Sequence, residues 1–543
     1  MEAVATVLVL LCLVTLLALL TQQWTIPYPT IMVLTGLAIA LVPNLPAVHL
    51  TPDIVFLIFL PPLLYAAATE TPWHDFRKNL RPIIFLAIGL VVATTLVVGV
   101  VAKWLLPGIP WAAAFALGAI ISPPDAVAAT SLTRRLPMPR RIITILEGES
   151  LLNDATGLVL YRMAVIAATT GSFSWSSSLS MFLSSSLGGI AIGLTAGWLL
   201  VFIHRQLEDP VIETMLSLLT PYAVYLPCEE WHLSGVLAVV TTGLYFQRHA
   251  HGVFSAATRL HARAVWDSVL FVLNGLTFIF IGLGLRDVMR AINHEPWWWN
   301  ATIAGSIVLV IILTRMLWIL PTALAPRWLH AADDPVAGRL PWSHLCIIGW
   351  TGMRGVVSLA AALALPLGFP HRELILFVVF GVILATLVAQ SMSLPWMIRR
   401  LGVSATGRSR LEQEMDARLW TLVAANRYLD QAAGGLGVSH RDTDYLRNYF
   451  ETHANRVLAN LTLELEHIDA ENFRRAPACR SLHLGALQAQ RDRLRGLEED
   501  GIIDTELMMQ LCREIDLEET RLRSPTQLVD RLPGGERGAG VPD

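Results

Sequence analysis

Polar side chains interrupt a long apolar stretch, residues 142–168, close to its middle. At about 1.5 Å of rise per residue, a helix of this length can cross a bilayer, and Asp154 falls near the centre. A carboxylate at the membrane midplane costs on the order of a few kcal/mol on insertion scales, so proteins seldom keep one without a use. Asp154 is therefore the first candidate for a functional residue.

Helical spacing gathers further polar side chains around Asp154. Glu147, Ser150 and Asp154 recur at helical intervals and share one face, whereas Glu149 and Asn153 form a neighbouring face. A carboxylate, a hydroxyl and an amide oxygen are hard ligands that suit a small cation such as sodium or lithium. The pattern predicts a monovalent cation site. The alternative is that Asp154 is one half of a buried structural ion pair.

Two adjacent prolines, Pro123 and Pro124, lie within the apolar stretch 111–131, between Ser122 and Asp125. Proline lacks a backbone donor and clashes with the preceding turn, so we expect the helix to be interrupted there. Interrupted membrane helices are tolerated where unwound carbonyls line a cavity, and they often mark ion sites. Asp125 would then offset the positive partial charge of half-helix N-termini. A simple proline kink is the alternative.

A third polar element surrounds Arg354, which three glycines flank at intervals of three residues: Gly349, Gly352 and Gly355. Small residues at this spacing allow close backbone approach or local unwinding. Arginine keeps its proton, so within a membrane it needs an anion, and we expect Glu149 to be that partner.

Arg315 also lies inside an apolar stretch, residues 301–321. We expect it to face the C-termini of half-helices. For Arg315 and Arg354 alike, the alternative is a side chain that extends to the membrane interface.

The composition indicates a membrane protein. Hydrophobic residues make up 54% of the 543 residues and charged residues 15%, far from the average of soluble chains. A net charge of −3 is too small to indicate a nucleic-acid partner. The five cysteines show neither metal-ligand spacing nor a disulfide framework. We expect a chain surrounded by lipid, without a cofactor.

Windowed hydropathy predicts about thirteen transmembrane helices. The first lacks the basic start of a signal peptide, so we interpret it as a span. The predicted spans are residues 3–20, 27–43, 53–69, 82–102, 111–131, 142–168, 180–203, 212–227, 232–247, 265–285, 301–321, 342–366 and 373–397.

The distribution of basic residues predicts the orientation in the membrane. An odd number of spans puts the termini on opposite sides. With the N-terminus outside, the inside loops hold fifteen lysines and arginines and the outside loops hold four. The positive-inside rule then predicts an external N-terminus and a cytoplasmic C-terminal tail. We expect the membrane to be the plasma (inner) membrane.

After Arg400 the sequence becomes polar and no further run is long enough to span. Amphipathic helical spacing continues over residues 411–430, 442–467 and 505–522. We predict a transmembrane domain over residues 1–400, a cytosolic helical tail over 401–523 and a disordered C-terminus over 524–543.

The three polar elements resemble those of sodium/proton exchangers in the monovalent cation/proton antiporter superfamily. In that family the fifth and twelfth spans are unwound and cross near an Asn-Asp pair on the sixth. Here those spans carry Ser122–Asp125, Gly352–Gly355 and Gly148–Asp154, respectively, and the similarity covers about residues 1–400. The resemblance implies an all-α polytopic membrane protein whose mobile core bundle, with interrupted and crossing helices, moves against a rigid dimerisation bundle. It also implies a homodimer.

The resemblance implies roles for individual residues as well. Asp154 would be the carboxylate shared by cation and proton, Asn153 would support it, Ser150 would be a cation ligand, and Glu149 would pair with Arg354.

Two departures from the family pattern stand out. Many relatives carry a glutamate where this chain has Ala66, and Glu70, one turn later on the same face, is a candidate to replace it. Relatives often read Ser-Pro-Thr-Asp where this chain has Pro124 in place of the threonine. The hydroxyl is lost while the main-chain carbonyl remains as a ligand, so the cation preference stays open.

The expected function is secondary active transport and not enzymatic catalysis. Burial disfavours an ionised carboxylate, so a proton and a cation would compete for Asp154. Because Asn153 rather than a second aspartate stands beside it, one charge exchanges for one charge, which predicts electroneutral antiport of sodium, or lithium, against protons. A potassium/proton exchanger on the same scaffold remains an alternative. An intramembrane aspartyl protease using Asp125 and Asp154 is a remote one, because no Gly-x-Gly-Asp motif precedes either aspartate.

Overall fold

The computed structural model describes residues 2–21, 28–42, 55–125, 138–171, 175–250, 253–284, 297–324, 341–403, 410–433, 438–459 and 477–523. Within these ranges the regular elements are all helical. They form two compact units. The membrane unit comprises residues up to Ala405 except two short segments, and the tail unit comprises Asp209–Val211, Phe254–Arg263 and the residues from Thr406 onward.

Fifteen helices precede residue 401 in the described part of the chain. In chain order they are α1 (Glu2–Thr21), α2 (Tyr28–Ala40), α3 (Phe56–Glu70), α4 (Trp73–Lys78), α5 (Leu80–Leu105), α6 (Trp111–Ile121), α7 (Arg140–Thr170), α8 (Trp175–His204), α9 (Pro210–Glu230), α10 (Gly235–Ala250), α11 (Ala256–Leu283), α12 (Trp297–Leu324), α13 (Trp342–Trp350), α14 (Val356–Leu363) and α15 (Arg372–Arg400).

Seven of these helices are long and apolar enough to cross a membrane, namely α5, α7, α8, α9, α11, α12 and α15. Four shorter helices are also apolar. The prediction of an all-α polytopic membrane protein with interrupted helices is confirmed. The described residues do not fix the number of spans at thirteen.

Helix α7, which carries Asp154, has sharp ends that follow from its sequence. It begins after Pro139, because proline suits the residues just before and at a helix start. It ends at Gly171, which has φ +69° and whose N–H donates to the Ala167 carbonyl at 3.1 Å. Glycine adopts this left-handed conformation without a Cβ penalty.

Helix α6 lies at the centre of the membrane unit and packs on α5 and α7. Its last six residues, 116–121, are all buried. At Gly118 an added Cβ would lie 2.5 Å from the Thr95 carbonyl oxygen of α5, so only glycine permits this approach. The end of α6 is thereby fixed deep inside the bundle, beside α7.

The tail unit has its own apolar core, built by α16 (Arg410–Ala432), α17 (His440–Ala459), α18 (Pro477–Glu499) and α19 (Thr505–Arg523). Asp516 of α19 is buried and accepts hydrogen bonds from Arg491 Nη2 at 2.8 Å and from Arg259 Nε at 2.8 Å. Burial, aided by the Asp516 carboxylate, raises the pKa of the Cys512 thiol to about 11. The sequence singled out three of these helices but not α18, and the predicted disordered residues 524–543 lie outside the described ones.

Candidate ion-exchange site

The first helix break follows α6. The helix ends at Ile121, and the next four described residues, 122–125, are not helical. The Ser122 hydroxyl turns back and donates to the Ala119 carbonyl at 3.1 Å. The predicted interruption at the two prolines is confirmed, whereas the second half of the predicted span, from residue 126, lies outside the described residues.

The second break separates α13 from α14 at residues 351–355. The two breaks meet, because the Asp125 N–H donates to the Met353 carbonyl at 2.7 Å, and we call this meeting point the crossing. The Asp125 carboxylate lies directly against Gly355, where any added Cβ would overlap it. Gly355 is the residue before α14, so the negative charge faces the positive end of that helix.

Helix α7 presents Asn153 and Asp154 to this crossing. Asn153 is fully buried, and its Nδ2 donates to the Pro124 carbonyl at 2.8 Å. Because the Pro124 carbonyl can only accept a hydrogen bond, it contacts the amide nitrogen of Asn153 and not the amide oxygen. That oxygen, Oδ1, is buried without a hydrogen-bond partner.

Asp154 is 7% exposed and interacts electrostatically with the Asp125 carboxylate. Ser150, one turn before it on α7, is half-buried. The crossing therefore gathers two carboxylates and an unpaired amide oxygen in a nearly closed environment. Such a set favours a positive charge, whether a proton or a metal cation.

The ion pair that Glu149 forms, about one turn before Asn153 on α7, differs from the predicted one. Glu149 binds Arg315, with Oε1 and Oε2 accepting from Nη1 at 2.5 Å and from Nη2 at 2.7 Å. The expectation that Glu149 pairs with Arg354 was wrong. Arg315 lies on α12, from which its planar guanidinium can meet both carboxylate oxygens at once. Both side chains are at least 98% buried.

Arg354 instead covers carbonyl groups left open by the breaks. Its Nε donates to the carbonyl of Ile121, the last residue of α6, and its Nη1 donates to the Gly352 carbonyl, both at 2.6 Å. A helix C-terminus carries a negative partial charge and unpaired carbonyls, so a buried arginine satisfies both. Arg315 also contacts a helix end, through Nε to the Ile348 carbonyl of α13 at 3.1 Å. Neither arginine extends to an interface.

Two further positions singled out in the sequence lie on α3. Ala66 is buried within α3. Glu70 is the exposed last residue of that helix. The exposure of Glu70 does not favour its replacing a buried glutamate.

Comparison with known proteins decides the family. Residues 7–400 match the family model described as "Sodium/hydrogen exchanger, transmembrane". The chain belongs to this family. The exchanger is therefore a multi-pass membrane transporter of monovalent cations and protons, and not an enzyme.

Relatives of the exchanger agree with this assignment. A protein of Mycobacterium tuberculosis named "Uncharacterized Na(+)/H(+) exchanger" is 34% identical over 506 residues, which cover 92% of each chain. A protein of Bacillus subtilis named "Sodium, potassium, lithium and rubidium/H(+) antiporter" is 36% identical over 386 residues, 68% of this chain and 57% of that protein. The fold is similar to the solved sodium proton antiporter MjNhaP1 from Methanocaldococcus jannaschii, with a TM-score of 0.57 at 18% identity over 74% of this chain and 99% of the other.

Sequence reasoning missed several polar residues that the exchanger uses in the membrane unit. Thr386 of α15 accepts a hydrogen bond from the Arg354 N–H at 3.1 Å, and nothing in its local sequence signals this. Arg162 of α7 pairs with Glu229 of α9. Both are charged residues in or beside an apolar run, a signal that could have identified them.

Proposed function

We propose that the exchanger swaps one monovalent cation for one proton at Asp154. The observation that carries the proposal is the Oδ1 atom of Asn153, the residue next to Asp154, because this atom is buried without a hydrogen-bond partner. A buried acceptor without a donor is unfavourable, and a bound cation would remove that cost.

The cation would be held by Asp154, the Asn153 amide oxygen and the Ser150 hydroxyl. The Pro124 carbonyl has a second lone pair beside the one that accepts from Asn153, so it remains able to coordinate. Asp125 supplies a nearby negative charge while it faces the start of α14. A cation or a proton on Asp154 relieves the repulsion between the two carboxylates. The cation and the proton can therefore replace one another at Asp154.

Competition for a single carboxylate makes the exchange electroneutral, with one charge moved each way by alternating access. Sodium and lithium suit the hard oxygen ligands. Potassium is the second candidate cation, because the name of the Bacillus subtilis relative includes potassium beside sodium and lithium.

The exchanger would act as a homodimer in the plasma (inner) membrane. Its N-terminus would lie outside and its tail in the cytoplasm, since the predicted inside loops carry most of the basic residues.

The test is proton flux in proteoliposomes that contain the purified exchanger. A pH-sensitive dye reports flux on addition of sodium, lithium or potassium, and valinomycin with potassium sets the membrane potential. We expect sodium-driven flux that an imposed potential neither drives nor blocks. Flux that follows the potential would contradict one-for-one exchange, and flux with potassium alone would contradict the sodium preference.

A further inference from the structure

A second polar contact on α7 lies beyond the ion site. Arg162 is eight residues past Asp154, which places it about 12 Å further along the helix, toward the end at Thr170. It forms an ion pair with Glu229, the second-last residue of α9. The two side chains are 32% and 27% exposed, so water can reach the pair.

Glu229 is held in place by a closely packed turn between α9 and α10. The N–H of Leu233 donates to the Cys228 carbonyl at 2.8 Å, and the N–H of Ser234 donates to the Ser185 carbonyl of α8 at 3.1 Å. At Gly235 an added Cβ would lie 2.7 Å from the Tyr225 ring and 3.2 Å from Glu229 Oε1. The carboxylate therefore lies against Gly235, the first residue of α10, in a turn that is hydrogen-bonded to α8.

Arg162 lies on a helix whose main neighbours are different ones. Among the described residues, α7 packs most extensively on α6 and α5, and α9 contributes little to its packing. The ion pair thus joins the helix that carries the ion site to α9, a helix that it otherwise contacts lightly.

We propose that the Arg162–Glu229 ion pair is a gate that closes the path from Asp154 to the membrane face at which α7 ends. The inference rests on the proposed exchange at Asp154, and by the proposed orientation that face is the external one. A partly exposed ion pair is weak, because water competes with each partner, so it can open in every transport cycle. The gate would have to open before an external cation could reach Asp154.

The test fixes the gate closed in a chain whose native cysteines are replaced. Arg162→Cys and Glu229→Cys are combined, and a bifunctional methanethiosulfonate reagent links the two thiols in proteoliposomes. We expect sodium/proton exchange to fall at least tenfold on linking and to return after reduction. The matched control is Ser185→Cys with Ser234→Cys, which links α8 to the turn between α9 and α10 without involving α7, and should leave exchange unchanged.

Exchange that persists after complete linking of the first pair would overturn the gate. An equal loss in the control pair, or in either single cysteine variant after the same treatment, would also overturn it. The unlinked variants report separately on the proposed exchange: if they and the unmodified exchanger show no cation-driven proton flux, the proposed function fails rather than the gate.

Charge-neutral variants give a second measurement that needs no cross-link. Arg162→Gln or Glu229→Gln should weaken the closed state and lower the KM for external sodium by roughly twofold to fivefold, as expected from losing a partly exposed pair. The exchanged pair, Arg162→Glu with Glu229→Arg, should restore the original KM. Values equal to those of the unmodified exchanger in both single variants would contradict the gate.

Discussion

At the scale of single residues, the membrane unit keeps three charges beside one another in its interior. Glu149 balances Arg315 through two hydrogen bonds, whereas Arg354 is balanced by the carbonyls of Ile121 and Gly352. The two arginines are therefore stabilised in different ways, although both are almost fully buried. Removing one partner of a buried pair leaves an uncompensated charge, which costs about 3–5 kcal/mol.

This difference predicts the outcome of a double-mutant cycle. Glu149→Gln and Arg315→Gln should each lower the thermal stability of the detergent-solubilised exchanger strongly. The double variant should lose clearly less than the sum of the two, because no member of the pair is left alone. Thermal melting of the three variants measures this.

Arg354→Gln provides the comparison, since its hydrogen bonds go to main-chain carbonyls that Glu149→Gln leaves in place. Arg354 still interacts electrostatically with Glu149, so the losses of Glu149→Gln and Arg354→Gln should depart from additivity, but clearly less than those of Glu149→Gln and Arg315→Gln. A larger recovery with Arg354→Gln than with Arg315→Gln would mean that Glu149 pairs with Arg354 after all.

The residues of the site could be predicted from the sequence to different degrees. Asn153 and Asp154 are neighbours on one helix, so the sequence alone shows that they lie close together. The partner of Glu149 depends on where α12 and the second break lie in space. Arg315 and Arg354 were both expected to be buried cations, so either could have paired with Glu149. Sequence reasoning had no physical basis on which to choose between them.

At the scale of helices, the site depends on two breaks that satisfy each other. The Asp125 N–H binds the Met353 carbonyl, the Asp125 carboxylate faces the start of α14, and Arg354 covers the end of α6. Each unwound segment would otherwise leave polar backbone groups unsatisfied inside the membrane. The crossing is therefore a single cooperative structure.

Gly355→Ala tests the tightness of the crossing, because the new methyl group would overlap the Asp125 carboxylate. We expect a loss of stability of roughly 1–3 kcal/mol, typical of overpacking, together with loss of exchange. Thermal melting and proton flux in proteoliposomes measure the two effects.

Gly305→Ala on α12 is the matched control, since nothing lies within 4 Å of an added Cβ there. It should melt and transport like the unmodified exchanger. If Gly355→Ala behaves in the same way as this control, Asp125 does not occupy the position described.

Both breaks were predictable because prolines and closely spaced glycines are strong local signals. Their crossing came from the family resemblance, since no local pattern says which two breaks meet. The tail helix α18 was missed because its apolar positions alternate with many charged ones and it gains its helical stability from packing in the tail unit.

At the scale of the whole molecule, the exchanger would be a carrier with one shared site and a separate external gate. Asp154 would bind a cation or a proton but not both, and the Arg162–Glu229 pair would control access from one face. Coupling between the two ions then follows from competition at Asp154 and needs no second ion site.

The most direct test of the shared site is cation-driven proton flux by Asp154→Asn in proteoliposomes. The substitution keeps the size of the side chain and much of its hydrogen bonding but removes the exchangeable charge. Asp267→Asn, which changes an exposed aspartate of α11, is the matched control. We predict that Asp154→Asn inserts and melts normally while its flux falls to that of empty liposomes, and that Asp267→Asn keeps the flux of the unmodified exchanger. Sodium-driven proton flux in Asp154→Asn equal to that of the control would contradict the account.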